Sequence, residues 1–165
     1  MISRWTVPAD PSPTRRSIGR CTAPRVFVDT SGWYALIDRR DALHRRARAE
    51  VERLAAARTR LVTTDYVVDE SCTLTRMRAG AAAAFRLLEL LRRTEWLDWE
   101  WIGAERFDRG VALFRKYADQ EYSFTDCTSL ALMRELRLEA ALTGDAHFAH
   151  AGFRALLAGD APGAR

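Results

Sequence analysis

The chain has 165 residues, 48% of them hydrophobic and 29% charged, which suits one globular domain that buries its core without disulfides or a structural metal. No apolar run approaches the roughly 20 residues needed to cross a bilayer, and the N-terminal arginines are not followed by the apolar stretch of a secretory signal. Cys21, Cys72 and Cys127 are odd in number and lack CxxC spacing, which argues against a disulfide framework or a zinc site and makes a reducing cytoplasm the expected compartment.

The formal charge of +4 is unevenly spread. Residues 1–25 carry Arg4, Arg15, Arg16, Arg20 and Arg25 against Asp10; taking those five bases and one acid from totals of 26 and 22 leaves 21 of each. The basic balance is therefore a property of the N-terminal segment and does not argue that the folded body binds nucleic acid. Residues 1–24 also hold Pro8, Pro11, Pro13 and Pro24 without apolar periodicity, which predicts a disordered extension. The ordered domain is expected over 25–158, with a flexible tail over 159–165.

Strands and helices alternate after that segment. Residues 25–28 read as a buried strand and 33–38 as a short helix. Residues 42–57 form a charged amphipathic helix with Leu43, Ala47, Val51 and Leu54 on one face and Arg45, Arg46 and Arg48 on the exposed side. Residues 61–63 are a second strand, 66–77 a helix stopped by Gly80, and 81–91 another helix. Residues 96–101 alternate, with Leu97, Trp99 and Trp101 opposite Trp96, Asp98 and Glu100, as in a half-exposed strand at or near a sheet edge. Helices follow over 105–117 and 125–136, then a strand over 140–143 and a candidate last strand over 153–157. This order implies an α/β fold, a three-layer α/β/α sandwich on a parallel sheet, with ligands bound beyond the carboxyl ends of the strands.

Four acids in separate segments carry the chemical signal. Asp29 closes the run Val26-Phe27-Val28, and by itself suits an N-cap. Glu70 shares a helical face with Tyr66, Leu74 and Met77, so its carboxylate needs a partner, arginine or metal. Asp126 ends the capping box Ser123-Phe124-Thr125-Asp126, where the helix dipole keeps it ionised at low cost. Asp145 follows Thr143-Gly144 at the end of a strand and also suits a turn or cap. Each has an ordinary explanation alone. Together they fall on one edge of a parallel sheet, and clustered carboxylates repel unless a cation neutralises them, which points to a divalent metal. No GxGxxG or GxxxxGK[ST] pattern is present, against a dinucleotide or P-loop site.

These residues resemble the PIN-domain family, and within it the VapC-type toxins of bacterial toxin–antitoxin pairs. The resemblance rests on Val26-Phe27-Val28-Asp29-Thr30-Ser31, Glu70, Ser123-Phe124-Thr125-Asp126 and Thr143-Gly144-Asp145-Ala146-His147-Phe148. It implies an endoribonuclease that hydrolyses RNA phosphodiester bonds with Mg²⁺ or Mn²⁺ held by Asp29, Glu70, Asp126 and Asp145. Ser31, Ser123, Thr125 and Thr143 match hydroxyl positions that orient those carboxylates. It also implies a homodimer inhibited by a cognate antitoxin. The alternatives are a housekeeping RNA-processing nuclease of the same family without antitoxin, and a non-catalytic module whose acids are caps and ion pairs.

Arg39, Arg40, Arg76 and Arg78 are the candidate phosphate contacts near the acid edge. His147 and His150 are expected at the surface or behind the site, and Cys127 as a small buried residue, not a nucleophile. Trp33 and Tyr34 are expected in the core or at a partner surface.

Overall fold

The computed structural model describes residues 23–158. The expected N-terminal extension, except Ala23 and Pro24, and the expected tail over 159–165 lie outside the described residues. In chain order the elements are β1 Arg25–Val28, α1 Thr30–Ile37, α2 His44–Ala56, β2 Arg60–Thr64, α3 Asp65–Ala79, α4 Ala81–Arg93, β3 Leu97–Glu100, α5 Ala104–Lys116, α6 Phe124–Glu135, β4 Ala140–Leu142, α7 Ala146–His150 and β5 Arg154–Ala155.

The five strands form one parallel sheet ordered β3-β2-β1-β4-β5. Travel across the sheet reverses after β3, so right-handed crossovers place helices on both faces. β1 pairs with β2 on one side and β4 on the other, which makes the gap beyond the carboxyl ends of β1 and β4 the switch point of the sheet. Asp29 and Thr143 are the first residues after those two strands. Two chain ends that sequence separates by 114 positions thus meet at the place where this topology leaves a crevice.

The core is the apolar runs the sequence suggests: Phe27, Val28, Leu61, Val62, Ala141 and Leu142 are buried in the sheet. Trp33 of α1 is buried and donates from Nε1 to Thr63 Oγ1 at 3.0 Å, and Thr63 Oγ1 in turn donates to the Val28 carbonyl at 3.2 Å. A buried polar chain therefore joins α1, β2 and β1, fully paired and so low in desolvation cost. Gly32 lets α1 lie close on β4: a Cβ at that position would stand 2.2 Å from the Leu142 carbonyl oxygen. Both contacts fix the first turn of α1, where Asp29 sits.

β3 is the edge strand on its side, as its alternation predicts. Leu97 is buried, but Trp99 and Trp101 face outward, Trp101 62% exposed. The polar side is the anchored one: Asp98 takes a paired grip from Arg60, and Glu100 bonds Arg106 at 2.9 Å. The inner face of α3 also differs from expectation. Val67, Val68, Ser71 and Thr75 point into the protein, whereas Met77 is 80% exposed. Small hydroxyl residues let α3 pack closely, so its buried face does not read as an apolar stripe. Gly80, at φ 84°, ends α3 and opens α4 in a backbone conformation that L side chains rarely adopt.

Candidate active site

Asp29, Glu70, Asp126 and Asp145 line one cavity of about 370 Å³, together with Thr30, Ser31, Tyr34, Arg78 and Ser123. Each acid arrives by its own local rule. Asp29 caps α1 and accepts from the Ser31 amide at 3.4 Å. Asp145 caps α7 and accepts from the His147 amide at 2.8 Å. Asp126 closes the capping box: Ser123 N donates to its Oδ2 at 2.8 Å, and its own amide donates to Ser123 Oγ at 3.0 Å. Glu70 comes from the second turn of α3, and Thr30 Oγ1 donates to its Oε2 at 2.5 Å. The cap roles expected for three of these acids are therefore real, and they are the means by which the cluster is assembled.

The surrounding hydroxyls hold the carboxylates still. Asp29 Oδ2 accepts from Ser31 Oγ at 3.2 Å and from Thr143 Oγ1 at 3.0 Å. Ser31 Oγ and Thr143 Oγ1 are 2.9 Å apart, and the amides of Gly144 and Asp145 donate to them, each at 3.0 Å. Thr125 lies across a neighbouring hollow from Asp69 and Glu70, and its carbonyl accepts from Thr128 Oγ1. Thr30 was not among the expected hydroxyl positions. Its place next to Asp29 in the chain is the signal that identifies it.

Burial opposes ionisation here. Asp29 is only 4% exposed, and burial, with a smaller repulsion from Asp126, pushes its carboxyl from 3.8 to about 6 despite the hydrogen bonds that lower it. Burial also raises Glu70 and Asp126, and neighbouring acids add to both: Asp126, Asp69 and Asp145 on Glu70, and Asp145 on Asp126. The partner the structure gives Glu70 is a threonine hydroxyl, not an arginine. Burial raises the Cys127 thiol to about 11, in keeping with an inert buried residue.

The candidate arginines separate. Arg78 lines the acid cavity, with its guanidinium 5.6 Å from the centre of the Tyr34 ring. Arg39 and Arg40 line a separate groove with Arg86, and Arg40 bonds Asp38 at 3.3 Å. Arg76 is exposed on α3 and lines neither. His147 stands closer to the chemistry than its sequence context suggests: one ligand atom each from Asp126, Asp145 and His147 lie within 4.8 Å of one another.

The PIN domain family model matches residues 26–154. The 23S rRNA-specific endonuclease VapC20, from two strains of Mycobacterium tuberculosis, is 36% identical over 140 residues, covering 78% of this chain and 95% of the relative. A crystal structure of Mycobacterium tuberculosis VapC20, described as a sarcin-ricin loop cleaving toxin, is similar with a TM-score of 0.69 at 32% identity, covering 78% of this chain and 95% of that one. Fold and similarity agree: the chain belongs to the PIN-domain family, among its VapC-type toxin ribonucleases.

Proposed function

We propose that the protein is a divalent-metal-dependent endoribonuclease that hydrolyses RNA phosphodiester bonds as the toxin of a toxin–antitoxin pair. The observation that carries this reading is the opening of Asp29, Glu70, Asp126 and Asp145 on one cavity, with burial opposing ionisation of the first three. Such a cluster fits a hard divalent cation: the four acids offer oxygen donors, which suit Mg²⁺ or Mn²⁺. When bound, the cation supplies an activated water and neutralises charge on the reacting phosphate.

The chain's own residues do the rest. Thr143 and Ser31 keep Asp29 aimed, Thr30 fixes Glu70, and the capping box fixes Asp126, so little reorganisation is needed when the substrate arrives. Arg78 at the cavity, with Arg39 and Arg40 in the second groove, contacts backbone phosphates of the RNA. Arg76 contributes through general attraction only.

The relative named as a 23S rRNA-specific endonuclease aligns over nearly its whole length, which makes 23S rRNA the first substrate to test. The protein acts in the cytoplasm, where a cognate antitoxin occupies the acidic groove. A second copy covers the exposed Phe107 and Phe114 on α5, which pack around Phe124 with ring centres 5.1 and 5.7 Å away. The described residues include no helix long and apolar enough to cross a membrane. The deciding assay incubates purified protein with 23S rRNA and Mg²⁺. Wild type cleaves, while chelation or Asp126→Asn abolishes cleavage without loss of fold. Undiminished cleavage by Asp126→Asn defeats the proposal.

A further inference from the structure

A nitrogen stands beside two of the acids: one ligand atom each from His147, Asp126 and Asp145 lie within 4.8 Å of one another. His147 Nδ1 is shut off from solvent and lies 3.1 Å from Asp145 Oδ1, yet it lacks the alignment of a hydrogen bond. That carboxylate oxygen already accepts from the His147 amide at 2.8 Å. A neutral imidazole offers Nδ1 either as a lone pair or as an N–H. A lone pair at that distance meets the lone pairs of a carboxylate oxygen, and an N–H, which occupies the same direction on the ring, lacks the alignment to donate to it. Either state leaves a buried polar atom poorly satisfied, and a cation shared among the three side chains relieves both.

The ring is also held in place. Tyr122 packs on it with ring centres 4.5 Å apart, and the Tyr122 hydroxyl donates to the His147 carbonyl at 3.1 Å. The side chain is 29% exposed, and its Nδ1 edge lies against Asp145. Asp126, Asp145 and His147 come from the start of α6, the cap of α7 and the first turn of α7, which are rigid element ends that pre-set the donors.

We infer that His147 is a direct nitrogen ligand at this centre, beside Asp126 and Asp145, and that it biases the site toward transition-series divalent ions such as Mn²⁺ over Mg²⁺. The inference rests on the metal-site reading of the four acids. Its chemical basis is that imidazole nitrogen strengthens binding of transition ions, while Mg²⁺ favours oxygen and keeps its waters.

Mn²⁺ is both ligand and probe for the test. Electron spin echo measurements on wild-type protein with bound Mn²⁺ are expected to show hyperfine coupling to a directly bonded nitrogen, and this coupling changes when the histidines carry nitrogen-15. His147→Gln loses the coupling, and its Mn²⁺ affinity falls at least about tenfold, the scale seen when even an outer partner of a ligand is removed. Mg²⁺ affinity, measured by competition, changes much less, so the preference ratio drops. His150→Gln, whose ring lies 6.5 Å from that of His147, keeps the coupling. Mn²⁺ that binds wild type, is lost in Asp126→Asn and shows no nitrogen coupling overturns the inference and leaves the acid site intact. Coupling that persists in His147→Gln overturns it too. Absence of Mn²⁺ binding to wild type overturns the acid-site reading and this inference with it.

Discussion

Asp29→Asn separates the cost of the acid cluster from its use. The carboxyl is raised from 3.8 to about 6, a gap of just over two pH units, which at about 1.4 kcal/mol per pH unit amounts to about 3 kcal/mol. Below pH 4 the folded and unfolded chains both hold the proton, and the group costs nothing. Between pH 4 and 6 the unfolded chain releases the proton while the fold retains it, so metal-free stability falls as pH rises. Above pH 6 the whole cost is present. Asparagine cannot ionise, and its carbonyl can still accept from Thr143 Oγ1 and Ser31, the partners of Asp29 Oδ2. Urea denaturation with chelator should therefore find the variant more stable than wild type at pH 7.5, by up to about 3 kcal/mol, with the gap closing near pH 4. Cleavage is lost throughout. Mn²⁺ at one hundred times Kd stabilises wild type by about 2.7 kcal/mol and closes most of the gap, and at one thousand times Kd, with about 4 kcal/mol, it reverses the order. A stability gap that does not vary with pH, or a variant less stable at pH 7.5, would show that burial of the Asp29 carboxylate carries no such cost.

Three further outcomes are expected. Thr30→Val removes the hydroxyl that holds Glu70; kcat should fall about 10–100-fold while stability changes by no more than about 1 kcal/mol, and an unchanged kcat would release Thr30 from any positioning role. Gly32→Ala puts a Cβ 2.2 Å from the Leu142 carbonyl oxygen, so α1 must lift off β4; overpacking of this kind costs about 3 kcal/mol, seen as a Tm lowered by roughly 10 °C, and an unshifted Tm would show that the close approach is not tight. Expression of the intact protein should arrest bacterial growth, with relief by a small upstream open reading frame; growth without arrest favours an RNA-processing role.

The apolar runs before Asp29 and around Leu61 are legible because buried parallel strands need continuous hydrophobicity, and those residues are in the sheet. Three of the candidate acids are legible for a related reason: caps and strand ends are read from local chemistry, and Asp29, Asp126 and Asp145 lie there, whereas Glu70 is inside α3. The inner face of α3 is hidden because Ser71 and Thr75 are buried without apolar side chains, a tertiary choice of close packing that periodicity does not report. The place of His147 is hidden as well, since α7 is one short turn of helix that local signals present as a turn. The outward-facing Trp99 and Trp101 show the same limit: alternation reveals two faces of a strand, and only the Arg60 and Arg106 anchors decide which one is covered.

Everything proposed for the site requires that Asp29, Glu70, Asp126 and Asp145 together hold a divalent cation. Anomalous diffraction from a crystal soaked in Mn²⁺ tests it most directly. A peak is expected between these four carboxylates, in the cavity they share, and it disappears in Asp126→Asn. A well-ordered cavity without a peak at saturating Mn²⁺, or a peak that lies elsewhere, would contradict it.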